Sequence, residues 1–335
     1  MMKLYTVNPN TGGAPIFQTS RAAPVPGPRE VLIRMRATSI NFRDLLVVDN
    51  AYGKLADDLI PLSDGAGEIV SVGKEVTARK AGDRVAGAFY PHWISGPITL
   101  ENKAAALGAT INGVLAEYVV LPEQAAIPIP SHMSFEEGAT LPCAALTAWN
   151  ALTEIARVRP GDVVLLLGSG GVSVFALQFA KMMGATVIHT SGDAAKCARL
   201  RSMGADEVIN YREVEDWDAK VLALTSGRGA DYIIEVGGPG TLERSFRAIR
   251  IGGTIVTIGF VGGGSQINPR PIISRAIRLE GLTVGSADNF VAMNRALEKH
   301  RVRPAIDRVV PFDDAASAYQ LLRSGGHFGK IVIAV

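Results

Sequence analysis

The stretch Leu165-Leu166-Leu167-Gly168-Ser169-Gly170-Gly171-Val172-Ser173 constrains the fold more than any other in the chain. An apolar run that stops in a cluster of glycines and then resumes reads as strand, tight turn and helix. Glycines let the backbone turn sharply and approach an anion. The helix that follows offers unpaired N–H groups and the positive end of its dipole. Gly168, Gly170, Gly171 and Val172 are therefore expected to hold the pyrophosphate of a dinucleotide. Ser173 replaces the usual third glycine and is small enough for close packing of helix on strand. Residues 163–180 form the most apolar window of the chain. The glycines inside it rule out a membrane span.

The pattern around this turn repeats. Short apolar runs rich in β-branched residues are expected as strands at 163–167, 186–190, 208–210, 231–236, 254–258 and 282–286. Helix-compatible segments separate them at 172–183, 194–203, 218–225, 242–249 and 271–277. Strands alternating with helices make parallel βαβ units, so the fold class is α/β with a doubly wound Rossmann sheet. Before residue 125 the texture is β-rich instead. Val31, Ile33, Met35 and Ala37 alternate with Arg34 and Arg36, which is strand periodicity. Residues 67–73 and 114–121 are further strand candidates, and 94–112 reads as a long surface excursion. The tail 329–333 is one more strand, expected to return to the first domain. The expected domains are 1–124, β-rich; 125–287, a Rossmann domain; and 288–335, the return to the first.

Length and charge narrow the functions. At about 100–200 residues per domain, 335 residues suit two domains. Lys and Arg total 34 against 32 acids, too balanced for nucleic acid or an anionic membrane as principal partner. Two cysteines, Cys143 and Cys197, make no disulfide framework, and no signal peptide is read. A cytoplasmic protein is expected.

Cofactor preference is read at the end of the second Rossmann strand. A NAD site places an acid there, about 20 residues past the glycines. Here the strand ends His189-Thr190-Ser191-Gly192, with hydroxyls, and Lys196 follows where it can meet a 2′-phosphate. The expected cofactor is NADP(H), with Asp193 keeping NAD open.

Asn41-Phe42-Arg43-Asp44, Ser63-Asp64-Gly65-Ala66-Gly67, residues 141–149, the glycine turn and His327-Phe328-Gly329-Lys330 occur in this order. Together they resemble the zinc-independent, quinone oxidoreductase-like branch of the medium-chain dehydrogenase/reductase superfamily, across essentially the whole chain. The resemblance implies a GroES-like catalytic domain beside the Rossmann domain and an active site in the cleft between them. It also implies a homodimer paired through the last Rossmann strand, at 282–286. It extends the cofactor surface beyond the turn, Ser191 and Lys196 to Thr147, Tyr211, Gly237, Gly259, Phe260, Phe328, Gly329 and Lys330.

Zinc alcohol dehydrogenases hold their catalytic metal with a cysteine, a His-Glu pair and a third cysteine or acid. Here those positions are Asn41, Ser63-Asp64 and Cys143. One thiolate does not make a catalytic zinc site, which takes three protein ligands. No structural-zinc cysteine cluster lies between 85 and 125, and the five histidines are scattered. No zinc is expected, and Cys143 reads as a small apolar residue. Without a Lewis acid, conjugate acceptors suit the chemistry best, because their negative charge is delocalised and a hydrogen bond can stabilise it. The expected catalytic residues are Asn41 and Tyr52 as donors to the substrate oxygen, with Asp44 and Asp64 beside them. Arg43 and Asp44 are expected to pair. Turn capping is the alternative role for Asn41 and Asp44. Three readings stand: an NADPH-dependent reductase of quinones, enones or other activated carbonyls; a zinc-free alcohol dehydrogenase or carbonyl reductase; and a non-catalytic NADPH-binding sensor.

Overall fold

A computed structural model describes residues 1–7, 16–53, 55–56, 58–259 and 266–335. They divide into two compact units, Met1–Leu146 with Val284–Val335, and Thr147–Thr283. The first unit therefore runs past the expected limit at 124. The reason is that Ala126–Pro128 pairs antiparallel with Arg84–Gly87 and so belongs to the first unit's sheet. The change of texture near 125 marks a change in pattern along the chain, not the end of a sheet.

The first unit is built on a seven-stranded sheet. Its spatial order is Ile306–Pro311, Lys330–Ala334, Glu30–Ile40, Asp64–Val72, Arg84–Gly87 and Ala126–Pro128, with Tyr118–Pro122 also paired to Glu30–Ile40. Val31, Ile33, Met35 and Ala37 are all buried, as the alternation requires. The tail returns as expected: Lys330–Ala334 runs antiparallel to Glu30–Ile40, with Ile331 opposite Ile40. On the other side Ser39 lies opposite Asp64. These two registers bring Lys330, Asn41 and Asp64, distant in sequence, to one end of the sheet. Gly67 permits the close strand contact, since a Cβ there would lie 2.2 Å from the Arg34 carbonyl oxygen.

Two expectations in this unit are corrected. The strand at 114–121 begins only at Tyr118, because the N–H groups of Val114 and Leu115 turn to the carbonyls of Pro61 and Leu62. The excursion at 94–112 is not all surface. It carries the helix Leu100–Ala104, after which Ala106, Leu107 and Ala109 are buried.

The second unit is a six-stranded parallel sheet ordered Glu207–Asn210, Thr186–Ser191, Val163–Leu167, Ala230–Glu235, Ile249–Thr257 and Arg278–Gly281. In sequence terms this is the 3-2-1-4-5-6 winding of dinucleotide-binding domains. Leu165, Ile188, Val221, Ile233, Phe246 and Ile255 form part of its core. The intervening helices Gly171–Met182, Ala194–Ser202 and Trp217–Leu224 fall where expected. Pro239–Ala248 starts earlier than expected, with Pro239 in its first turn, where a missing N–H costs nothing.

The sixth strand is displaced from its expected place. It lies at Arg278–Gly281, and 282–286 holds no strand. Val284 takes a left-handed φ of 50°, which a β-branched residue adopts only under constraint, and Ser286 caps the helix Ala287–His300. Composition at 282–286 is strand-like, but the backbone there is already turning. No helix among the described residues is long and apolar enough to cross a membrane.

Candidate functional site

In the second unit the glycine turn is built to receive an anion. Gly168 has a φ of +74°, and Gly170 stands at the N-cap of the 12-residue helix Gly171–Met182 without a side-chain cap. A Cβ at Gly168 or Gly170 would meet nothing within 4 Å, so the space over the turn is open. Ser173 is buried and its hydroxyl donates to the Leu167 carbonyl at 2.6 Å, closing helix onto strand as its size allows. His189 on the neighbouring strand, which sequence reasoning left aside, bonds the Gly168 carbonyl through Nε2 at 2.6 Å.

The expected nucleotide-binding residues of this unit gather at the carboxyl ends of the strands. Gly168 follows Val163–Leu167, Ser191 ends Thr186–Ser191, and Tyr211 follows Glu207–Asn210. Gly237 and Gly259 lie just beyond the next two strands. Asn210 is in register with Ser191, which sets Tyr211 against Gly192: a Cβ on Gly192 would lie 2.5 Å from the Tyr211 ring. Tyr211 is exposed and Lys196 half-buried, while Ser191, Gly237 and Thr147 are buried. Asp193 is engaged locally, its carboxylate accepting the Lys196 backbone N–H at 2.8 Å as a helix cap. Phe260 lies outside the described residues.

Phe328, Gly329 and Lys330, also expected at the cofactor surface, lie in the first unit. Phe328 is 1% exposed and belongs to the core of the first unit. Gly329 adopts a φ of +71° beneath the Ala305 carbonyl, where a Cβ would lie 2.3 Å from the oxygen. Lys330 is 3% exposed, and its ammonium donates to the Ile40 carbonyl at 2.8 Å and to Asn41 Oδ1 at 2.5 Å. These contacts turn the Lys330 side chain into the first unit.

Around Lys330 lies a connected set of charged and polar groups. The Asn41 backbone N–H donates to Asp44 Oδ2 at 2.8 Å, and Arg43 pairs with Asp44 Oδ1 at 3.3 Å, the expected ion pair. Arg43 also donates to the Leu107 carbonyl at 2.8 Å. Its guanidinium stacks on Tyr52, 4.5 Å from the ring centre, and on Phe89. Asp64 accepts the Ser63 hydroxyl at 2.7 Å and the Cys143 backbone N–H at 3.1 Å. Asn41 Nδ2 is buried and faces Asp64 closely enough to favour its ionised form, yet has no hydrogen bond of good geometry among the described residues.

Burial sets the electrostatics. It pushes the Asp44 carboxyl up to about 6, against the pull of the Arg43 charge. It raises Asp64 above the ordinary carboxylate value, against the pull of Lys330. It lowers Lys330, which Asp64, then Cys143 and Asp44, oppose. It also pushes the Cys143 thiol up, with Asp64 adding to the shift. Asp44 and Asp64 are both buried, at 1% and 0% exposure. Capping and site roles thus coexist at Asp44, while the Asn41 side chain is claimed by Lys330. Cys143 is half-buried, not the enclosed apolar residue expected.

These residues do not suit zinc. Asn41 and Ser63 offer no strong ligand at two of the positions, and a catalytic zinc takes three protein ligands. An ammonium stands among Asn41, Asp64 and Cys143, and among the described residues no three His, Cys, Asp or Glu side chains converge as a metal site. A local sign of the buried charge is a lysine opening an otherwise wholly apolar strand, Lys330–Ala334.

A parallel sheet of this order with an open glycine turn is the architecture of dinucleotide-binding domains. The alcohol dehydrogenase GroES-like domain model matches residues 27–131, and the zinc-binding dehydrogenase model matches 171–299. A zinc-type alcohol dehydrogenase-like protein of Schizosaccharomyces pombe is 40% identical over 92% of this chain and 91% of its own length. Mouse (Mus musculus) quinone oxidoreductase is 30% identical over 95% of this chain and 92% of its own. A solved NAD-dependent alcohol dehydrogenase superposes with a TM-score of 0.91 at 33% identity, covering 100% of both chains. The chain belongs to the medium-chain dehydrogenase/reductase superfamily.

Proposed function

We propose that the protein is a zinc-independent reductase that uses NADPH to reduce quinones, enones or other activated carbonyl compounds. What supports this reading is the likeness to quinone oxidoreductase together with the open glycine turn at the head of Gly171–Met182. When bound, NADPH would supply the hydride that adds to the conjugated carbon. Asn41 and Tyr52 are the proposed donors to the oxygen that gains charge, with the Tyr52 hydroxyl supplying or relaying its proton. Arg43, anchored on Asp44 and Leu107, holds the Tyr52 ring by stacking. Gly168, Gly170, Gly171 and Val172 would hold the pyrophosphate, and Lys196 with Tyr211 the 2′-phosphate. Preference for NADPH is supported by Ser191 ending the second strand where a NAD site places an acid, with Lys196 following. The identity to quinone oxidoreductase supports the substrate class.

The second reading, a zinc-free alcohol dehydrogenase or carbonyl reductase, is favoured by the names of the fission-yeast relative and the superposed structure. NADPH oxidation measured with 1,4-benzoquinone, an enone, an aldehyde and a ketone separates the two. Turnover of the quinone and enone is expected; turnover of the aldehyde alone would favour the second reading. Tight NADPH binding without turnover of any acceptor would leave only a sensor.

The protein is further proposed to act as a cytoplasmic homodimer. Arg278–Gly281 is an edge strand of the parallel sheet, and exposed parallel edges invite pairing. Ile273, 81% exposed, adds apolar surface in the same unit. Light scattering should give twice the chain mass, and a monomer at micromolar concentration would reject this.

A further inference from the structure

We propose that His189 is a positioning residue for cofactor binding: its imidazole fixes the Gly168–Ser169 peptide, so that the Ser169 N–H points out of the turn and joins the helix N-terminus in holding the pyrophosphate. The inference rests on the reading of the glycine turn as the cofactor site, and its test keeps the two apart.

Both polar groups of Gly168 are held by the neighbouring strand, Thr186–Ser191. Its N–H donates to the Thr190 carbonyl at 2.9 Å, and its carbonyl accepts from His189 Nε2 at 2.6 Å. Strand register sets this up, with Leu166 opposite His189 and Leu167 opposite Thr190. In a trans peptide the C=O and the N–H of the next residue point in opposite directions. No cis peptide occurs among the described residues, so drawing the Gly168 oxygen towards His189 turns the Ser169 N–H away from that strand. The Ser169 N–H has no partner among the described residues. It belongs to a half-buried residue between two glycines over which the space is open.

Gly168 alone would not decide the orientation. With a φ of +74° and no Cβ, it lets the following peptide turn either way. In the other orientation a carbonyl oxygen would face the incoming phosphate and repel it. The bond to His189 removes that alternative before the cofactor arrives, so less ordering is left for the binding step.

His189 is otherwise hard to account for. Val187 to Ser191 are all buried, and strands covered on both faces are commonly apolar throughout. Nδ1 has no partner among the described residues, and an unpaired buried polar atom costs stability. An apolar side chain would avoid that cost but would leave the Gly168 carbonyl free to flip. Burial keeps the imidazole neutral at ordinary pH, so it acts on the anion by orienting a peptide and not by its own charge.

The test compares Kd for NADPH with Kd for adenosine 2′-monophosphate, which carries the 2′-phosphate but no pyrophosphate, by titration calorimetry on the full chain. His189→Leu should weaken NADPH about 3- to 10-fold, the worth of one hydrogen bond, and leave the fragment within about twofold. The maximal rate at saturating NADPH should not change. His189→Gln, whose amide nitrogen has the reach of Nε2, should recover most of the loss. Equal losses for NADPH and the fragment, or equal losses in the two variants, would overturn the proposal. NADH and adenosine replace the pair if NADH is the tighter ligand. Gly170→Asp tests the site itself: at that N-cap a carboxylate would take the helix N–H groups and repel a phosphate, so binding should be lost. A silent Gly170→Asp would sink the reading of the turn and the inference with it. Lost binding in Gly170→Asp beside an unaffected His189→Leu would sink the inference alone. Should His189→Leu not fold, the wild type carries the test: its Ser169 amide proton should move downfield in the NMR spectrum when NADPH is added, and an unmoved signal would reject the positioning role.

Discussion

Nε2 of His189 lies 2.6 Å from the carbonyl oxygen of Gly168, so a fully buried imidazole is bonded directly to the backbone of the anion-binding turn. The carbonyl can only accept, hence Nε2 carries the proton and Nδ1 is left without a partner among the described residues. Burial lowers the imidazole to about 4, although the bond to Gly168 opposes the shift. A pH dependence follows. Above about 6.5, the ordinary histidine value, both folded and unfolded chains carry neutral His189. Between there and about 4 the unfolded chain takes up a proton that the folded chain refuses, so this stabilisation is lost as pH falls. The loss amounts to roughly 3 kcal/mol at most. Thermal unfolding of wild type and His189→Gln at pH 7.5 and 5 checks it. The advantage of wild type should shrink at the lower pH, whereas a gap independent of pH would show that His189 is not the group responsible. Taking the difference between variants removes the opposite contribution of Asp44, whose carboxyl is raised.

Asn41→Ala should lower kcat for a quinone by about 10- to 100-fold with NADPH affinity unchanged. A single donor in an oxyanion site is worth about 100- to 1000-fold, and water replaces part of that in an open site. Tyr52→Phe keeps the ring under Arg43 and removes only the hydroxyl. It should slow turnover without lowering the melting temperature. Normal turnover of both quinone and enone by Tyr52→Phe would assign the ring to packing.

Lys196→Ala should weaken NADPH by about 10- to 100-fold and leave NADH nearly unchanged. A charge-assisted contact to phosphate is worth about 1.5–3 kcal/mol. Isothermal titration with both cofactors measures this directly. Equal losses would mean that Lys196 supports its helix rather than the 2′-phosphate.

The purified protein should contain far less than one zinc per chain after dialysis, because Asn41 and Ser63 offer no strong ligand and Lys330 brings a cation of its own. Elemental analysis is the measurement. One zinc per chain, lost together with activity on chelation, would reverse this expectation and favour the alcohol dehydrogenase reading.

The parts of this protein readable from its sequence are those governed by local pattern. The glycine turn, the alternation of Val31, Ile33, Met35 and Ala37, and the first five Rossmann strands each show in a short window, because periodicity and turn chemistry are properties of neighbouring residues. The misplaced sixth strand marks the limit of that reasoning. Residues 282–286 have strand composition, but their backbone is taken by a left-handed Val284 and a helix cap at Ser286. The partners of Lys330 lie beyond local pattern. They depend on two strand registers, Ile331 against Ile40 and Ser39 against Asp64, which join segments nearly 300 residues apart. Only the folded chain sets the Asn41 amide between the Lys330 ammonium and the Asp64 carboxylate.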